Sequence, residues 1–481
     1  MNSAITRLDL ALAAPEIFLL SAICVIMLVD LFLRDDQRKV TFFLSLLALA
    51  GTAWITAATE VDVRTVGWGG TYVADPLSCL LKLVEYGAVA IAFLYGYDYL
   101  QRRGLLKGEY FMLGLFALLG IMVLISANSM ITLYLGVELL ALAMYAIVAF
   151  NRDSAVSAEA AIKYFVLGSI ASGSLLYGMS ILYGVTGSLE LGPVGDAAMG
   201  YGPKHIGLLF GLAFIVVGVA FKFGAVPFHM WVPDMYQGSP TALTLFLSSA
   251  PKLASFALAF RLLAEGLGPL HDGGWSGMIA IVSVLSLAIG NVVAIAQTNV
   301  KRMLAYSTIS HVGFILLGFV TGTSDGYEAS LYYTIAYVVM AIGCFGMIIL
   351  LSRSGFEADS IEDFKGLNAR SPWFAGVMLM LMFSMAGVPP FVGFWAKLTV
   401  IQALLHAGHL WLAVTAVIFS VIGAFYYLRI VKLMYFDSAQ DRAPLQATGA
   451  MRFVLSLNGL AVLVLGLFPG LMLALCARVI P

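Results

Sequence analysis

The chain has 481 residues, of which 61% are hydrophobic and only 11% charged, against about 25% charged in an average soluble domain. No water-soluble fold of that size hides so much apolar surface, so the bilayer must be its main solvent. A formal net charge of -1 gives no reason to expect a nucleic-acid partner. The four cysteines, Cys24, Cys79, Cys344 and Cys476, form no C-x-x-C pair, which argues against a zinc or iron–sulfur site and against a disulfide framework.

Apolar runs long enough to cross a bilayer, about 20 residues each, recur from end to end. Fourteen can be read, at 15–33, 40–58, 75–97, 111–127, 129–150, 160–186, 206–236, 240–264, 275–295, 303–321, 329–352, 373–407, 411–435 and 451–475. The first ends in Arg34, Asp35 and Asp36 rather than at a small-residue cleavage site, so it reads as a span and not as a signal peptide. The runs are continuously apolar rather than alternating, which selects helices over a membrane β-barrel. The expected fold is an all-α polytopic membrane protein with about fourteen transmembrane helices.

Lysine and arginine in the loops give the orientation. With the N-terminus on side A, that side carries Arg7, Arg64, Lys204 and Arg478, four in all. Side B carries fourteen: Arg34, Arg38, Lys39, Arg102, Arg103, Lys107, Arg152, Lys301, Arg302, Arg353, Lys365, Arg370, Arg442 and Arg452. Positive charge accumulates on the cytoplasmic side, so side B is expected to be cytoplasmic and both termini periplasmic.

Two runs are too long for one straight crossing. Residues 206–236 as a single helix would measure about 46 Å, against a hydrocarbon core of about 30 Å. The first run reads KFGAVPFH from Lys222 to His229, and the second reads GVPPFVG from Gly387 to Gly393. Proline removes a backbone donor and clashes with the preceding turn. One such proline is commonly a kink, but two similar breaks in two long spans predict discontinuous helices 7 and 12. The breaks lie five spans apart, and five is odd, so a second five-helix copy would enter the membrane from the opposite side. Spans 4–8 and 9–13 are expected to form an inverted repeat with the working site at the paired breaks. This divides the chain into an N-terminal three-helix segment (1–110), a first five-helix repeat (111–264), a second inverted repeat (265–437) and a C-terminal helix (438–481). The longest loop, Arg353 to Pro372, contains Glu357, Asp359, Glu362 and Asp363.

Ionisable residues deep in spans cost roughly 2.5–3.5 kcal/mol each on insertion scales. Seven stand out: Glu138 in span 5, Lys163 in span 6, Lys222 before the break and His229 after it in span 7, Lys252 in span 8, His311 in span 10, and Lys397 after the break in span 12. A buried lysine loses affinity for its proton by desolvation and regains it beside a carboxylate, and histidine titrates near neutrality. A row of such groups joined by water suits proton relay. The bland alternatives are a static ion pair for Glu138, Lys222 and Lys252, snorkelling for Lys163, and ordinary core packing for the histidines. Lys82 and Glu85, spaced i, i+3, are expected to neutralise each other. Asp30, Arg261, Arg429 and Lys432 lie near span ends and read as interfacial anchors. No P-loop and no strand–GxGxxG–helix unit is present, so neither ATP nor a nicotinamide or flavin is expected to bind this chain.

The segment Pro227 to Pro240, reading PFHMWVPDMYQGSP, resembles the signature of the subunit N family of proton-pumping NADH:quinone oxidoreductase, respiratory complex I, within the Mrp-type cation/proton antiporter group. AIKYFVLGS at Ala161–Ser169, NVKRMLAYSTISHVG at Asn299–Gly313 and GVPPFVGFWAK at Gly387–Lys397 strengthen the likeness. MYQG after Pro233 and Asp234, and a lysine rather than histidine at 252, favour N over the sister subunits L and M. The resemblance implies that Glu138 and Lys222 form a modulating pair, that Lys252 is a central lysine and that Lys397 serves an exit half-channel. Lys163 and His311 match accessory positions. It further implies that this chain binds no cofactor itself and that NADH, FMN, iron–sulfur clusters and quinone belong to partner subunits. The implied neighbours are the other membrane subunits of complex I, the sister M and the small K and J, and the implied location is a bacterial inner membrane. A stand-alone or Mrp-type Na⁺/H⁺ antiporter using the same residues is the alternative.

Overall fold

The computed structural model describes residues 6–202, 204–439, 443, 445 and 447–480. The extreme chain ends, and Arg442 of the side-B count, lie outside these residues. After a short α1 (Arg7–Leu12) come α2 (Ala14–Asp30), α3 (Lys39–Ala58), a hairpin of β1 (Thr65–Gly67) and β2 (Tyr72–Ala74), and α4 (Pro76–Arg102). Then follow α5 (Gly108–Ile125), α6 (Met130–Val148), α7 (Ala155–Thr186), α8 (Leu191–Tyr201), α9 (Ile206–Phe223), α10 (Trp231–Gly238) and α11 (Thr241–Ala259). A π-helical turn, Phe260–Gly266, closes α11. The chain continues through α12 (Ser276–Ile295), α13 (Val300–Val320), α14 (Ser324–Leu351), the one-turn α15 (Leu367–Arg370), α16 (Pro372–Ala386), α17 (Val392–His406), α18 (Leu410–Phe436), α19 (Gly449–Leu467) and α20 (Pro469–Val479).

Among the described residues, twelve helical stretches are long and apolar enough to cross a membrane unaided. The 17-residue α2 fills the first expected span, and α16 with α17, 15 residues each, fill the twelfth. Each of the fourteen apolar runs therefore has its helix, and the protein is an all-α polytopic membrane protein. Local signals set the helix ends. Ser129, Ser154, Asn299, Thr323 and Thr448 cap the first turns of α6, α7, α13, α14 and α19 through their side-chain oxygens. Pro76, Pro372 and Pro469 open α4, α16 and α20, where a missing N–H costs nothing.

The chain forms two compact units: one holds Met1–Phe93, Leu106–Phe221 and Leu253–Met278, the other Leu94–Leu105, Lys222–Lys252 and Ile279–Pro481. In the first unit α5 and α6 touch backbone to backbone. A Cβ on Gly120 would lie 2.5 Å from Leu140 N, and one on Gly136 2.7 Å from Leu124 N. In the second unit α12 and α13 do the same, with a Cβ on Gly290 falling 2.7 Å from Ser310 N and one on Gly313 2.9 Å from Ser283 O. Small residues permit such close approach in membranes.

Three sequence readings are corrected in the first unit. Arg261 is not an interfacial anchor. It is 1% exposed and makes a bidentate pair with Asp75 at 2.7 and 2.8 Å, a third bond to Glu265 at 2.8 Å and a fourth to Ile125 O at 3.1 Å. Lys82 does not pair with Glu85; it reaches Glu16, 66 residues away, at 2.5 Å. Glu85 is fully buried with neither carboxyl oxygen hydrogen-bonded. Asp30 is buried, bonded to Arg38 at 2.7 Å and to the Thr41 hydroxyl. Helix spacing predicted the Lys82–Glu85 pair, and tertiary packing supplied Glu16 instead.

Candidate functional site

Both expected breaks are present, and both fall in the second unit. α9 stops at Phe223, Gly224 turns into the left-handed region at φ 76°, and helix resumes at Trp231. α16 stops at Ala386, Gly387 lies at φ 86°, and helix resumes at Val392. Glycine enters this region without the Cβ clash other residues meet. The Val226–Pro227 and Pro389–Pro390 bonds are cis. The first break is tied by the Val226 N–H to Ser286 Oγ at 2.9 Å, the second by the Gly393 N–H to Ser384 Oγ at 3.0 Å.

A half-helix that ends inside the membrane presents carbonyls with no intrahelical donor and the negative end of its dipole. At each break a buried lysine fills that role. Lys252, 2% exposed on α11, donates from Nζ to Phe223 O at 2.8 Å. Lys397, 8% exposed on α17, donates to Ala386 O at 2.8 Å and to Ser420 Oγ on α18 at 3.0 Å. The glycine makes the room in the second case, since a Cβ on Gly387 would lie 2.8 Å from Lys397 Cδ. Neither lysine has a carboxylate partner among the described residues.

His311, on α13, is 3% exposed and sits between two tyrosines, with Nδ1 2.7 Å from Tyr333 Oη and Nε2 3.0 Å from Tyr427 Oη. Tyr427 continues to Ser307 Oγ at 2.5 Å. Lys397 Nζ lies 5.3 Å from the ring centre of Phe314, one turn along α13 from His311. His229 is buried inside the first break, its ring centre 6.4 Å from that of Tyr306 on α13 and its Nδ1 without a hydrogen-bond partner. The second unit thus holds a buried set of Lys252, His229, His311 and Lys397, of which His311 and Lys397 bond to tyrosine and serine hydroxyls, the materials of a proton relay.

The remaining candidates stand elsewhere. Lys222 occupies the last turn of α9, half-buried, where a cation complements the helix dipole. Glu138, in the first unit, lies half-buried on α6 beside Tyr134 and Tyr145 of its own helix, and one of its carboxyl oxygens is buried without a hydrogen bond. Lys163 is set apart: its side chain is 46% exposed and paired with Glu159, one turn back, at 2.8 Å.

Sequence reasoning found the titratable groups but not their partners. Tyr333, Tyr427 and Ser420 look like ordinary span residues, and the carbonyls of Phe223 and Ala386 have no side-chain signature. The available signal was Gly224 and Gly387, because a left-handed glycine ends the helix and the last carbonyl before it has no intrahelical donor. The motif residues also meet: Arg302, in the Asn299–Gly313 segment, bonds Asp234 at 2.7 Å and Gln237 at 3.1 Å in the Pro227–Pro240 segment.

Comparison with known proteins gives the family. Residues 127–423 match the family described as NADH:quinone oxidoreductase/Mrp antiporter, TM. The chain is 58% identical to NADH-quinone oxidoreductase subunit N of Thioalkalivibrio sulfidiphilus, with 97% of each chain covered. It is 55% identical to the same subunit of Thiobacillus denitrificans over 100% of this chain and 99% of that one. Among solved structures, a chain of respiratory complex I from Thermus thermophilus with bound aureothin superposes with a TM-score of 0.83 at 29% identity, covering 96% and 99% of the two chains. A chain of the Mrp complex from Dietzia shares the fold, with a TM-score of 0.83 at 21% identity and coverage of 98% and 97%. The chain belongs to the subunit N family of NADH-quinone oxidoreductase, the antiporter-like membrane subunits of complex I.

Proposed function

We propose that this subunit moves protons across a bacterial inner membrane while NADH oxidation drives quinone reduction in partner subunits. The observation that carries the reading is the matched pair of buried lysines, each held by the last carbonyl of a half-helix and neither by a carboxylate. A lysine bound this way can release its proton and leave no opposing bare charge behind. Lys252 and Lys397, with His311 on α13 and its tyrosines on α14 and α18, form the buried row. Glu138 and Lys222 modulate it, His229 assists, and Lys163 is marginal. Each charge moved against the membrane potential costs about 2.3 kcal/mol per 100 mV, so every step needs at least that drive from the redox reaction.

In this reading the chain itself binds no redox cofactor; NADH, FMN, iron–sulfur clusters and quinone act in partners. Its membrane neighbours are the sister subunit M and the small subunits K and J, and both termini face the periplasm. Relatives at 58% and 55% identity are subunits of NADH-quinone oxidoreductase, which favours this over a stand-alone Na⁺/H⁺ antiporter. The test replaces Lys222 or Glu138 by alanine in the complete complex. Assembly on a native gel should persist while proton pumping and quinone-coupled turnover fall. Wild-type pumping in the assembled Glu138→Ala and Lys222→Ala double variant would sink the assignment.

A further inference from the structure

Outside the lysine row, the second unit holds a tight polar cluster at the side-B end of α11. Glu357, from the loop after α14, accepts from Tyr99 Oη at 3.0 and 2.8 Å and from the Thr241 hydroxyl. Arg103, just past the end of α4, pairs with the same carboxylate at 2.5 Å and lies 4.6 Å over the Tyr99 ring. The Thr241 N–H, an orphan donor at a helix start, goes to Tyr99 Oη at 3.1 Å. Lys301 is buried, donates to Ser239 O at 3.0 Å and faces the charges of Glu357, Asp359 and Arg103. Two residues on from Glu357, the Asp359 side chain accepts from Asn299 Nδ2 at 3.0 Å and its carbonyl from the Val300 N–H at 2.7 Å. One short loop therefore clips the first turns of both α11 and α13.

From Thr241 a line of buried hydroxyls runs inward. Thr241, Thr244 and Ser248 are fully buried, and Lys252 follows, at steps of three, four and four residues. Those steps share one helix face, with neighbouring Cβ atoms about 5–6 Å apart, a gap that one bridging water spans. In this structure the hydroxyls are turned away from one another. Thr241 points to Glu357, Thr244 Oγ1 donates to Tyr236 O at 3.1 Å and Ser248 Oγ to Leu245 O at 3.0 Å. Back-bonding to a helix is the ordinary habit of a single serine or threonine. Here three stand in register between a carboxylate and a buried lysine.

Resting on the proton-moving function above, we propose that Glu357 is the gate through which Lys252 is loaded from side B. Its carboxylate takes a proton from water on that side, becomes neutral and lets go of Arg103. The Thr241 hydroxyl accepts that proton and gives its own onward through Thr244 and Ser248. The last proton ends on the neutral Lys252 amine, and Glu357 returns to carboxylate. The groups that set this step are Tyr99 and Arg103 from α4 and its end, Thr241 from α11, Lys301 from α13 and Asp359 from the gate's own loop.

The test uses the intact complex in inverted membrane vesicles with Glu357→Gln, Glu357→Asp, Ser248→Ala, Ser248→Thr and Lys252→Met. It reads pumping and NADH-driven quinone reduction, per assembled complex. Glutamine keeps an acceptor oxygen for Tyr99 and Thr241 and removes the titratable group. Glu357→Gln should pump roughly tenfold more slowly, a barrier about 1.4 kcal/mol higher, and Glu357→Asp should recover most of the rate. Ser248→Ala should slow pumping and Ser248→Thr should not, a pair that decides the matter if Glu357→Gln fails to assemble. A wild-type rate in Glu357→Gln, with Lys252→Met stopped, refutes the gate and leaves the function standing. Equal slowing in Glu357→Gln and Glu357→Asp, with lower heat stability in both, makes the loop a clip only and also overturns the gate. Wild-type pumping in Lys252→Met removes the function on which the gate rests.

Discussion

The two units treat their buried cations in opposite ways. In the first, Arg261 is locked between Asp75 and Glu265, and Lys82 is held by Glu16 and by Tyr72 Oη at 3.0 Å. In the second, Lys252 and Lys397 rest on backbone carbonyls at the ends of half-helices. A cation paired with a carboxylate cannot be neutralised without exposing the partner's charge to a low dielectric. A lysine on a carbonyl dipole can. The same residue chemistry therefore gives a fixed clamp in one place and an exchangeable proton in the other, and the difference lies in the counter-group.

The comparison can be broken most forcefully at the clamp. Arg261→Met strands Asp75, while Glu265 keeps Arg64 at 2.9 Å, and removing one partner of a buried pair costs about 3–5 kcal/mol. Loss of assembled complex on native gels, with Arg261→Met/Asp75→Asn recovering part of it, is expected. Full heat stability in the single variant would show that the clamp is not structural. Next comes the lysine seat. Gly387→Ala puts a Cβ in the left-handed region, at about 1–2 kcal/mol, and against Lys397 Cδ. It should slow turnover several-fold, whereas Gly376→Ala, mid-helix in α16 with nothing within 4 Å of its Cβ, should stabilise by up to about 1 kcal/mol. Equal thermal shifts in the two would dissolve the distinction.

Smaller effects sharpen the account. Tyr427→Phe removes one hydroxyl from His311 and from Ser307, a change of about 0.5–1.5 kcal/mol, and should reduce pumping a few-fold without affecting assembly. Lys163→Ala removes a half-exposed i, i+4 pair of about 0.3–0.5 kcal/mol. Near-normal pumping is expected there, and a deep defect would return Lys163 to the relay.

Much of this was legible in the sequence because membranes punish exceptions. Glycine and proline in mid-span marked both breaks, and Lys252, Lys397 and His311 stood out because charge is so rare in apolar runs. Partners were harder. The i, i+3 spacing of Lys82 and Glu85 suggested a local pair, but Glu16 comes from another helix, a contact that periodicity does not encode. Arg261 lies near a span end, as anchors do, and only the fold brings Asp75 and Ile125 O to it. The hairpin β1–β2 and the short α8 escaped a reading tuned to runs of about 20 apolar residues. Glu357 sat in an acidic loop with no pattern to separate it from Glu362, until tertiary structure set it on the first turn of α11.

The central claim is that carbonyl-held lysines carry the proton. Its most direct test is the ratio of protons translocated to NADH oxidised in vesicles bearing Lys252→Met or Lys397→Met, in complex confirmed as assembled. The account predicts that either variant assembles normally and that its ratio falls below wild type together with its turnover. An unchanged ratio at wild-type turnover in both variants would contradict it.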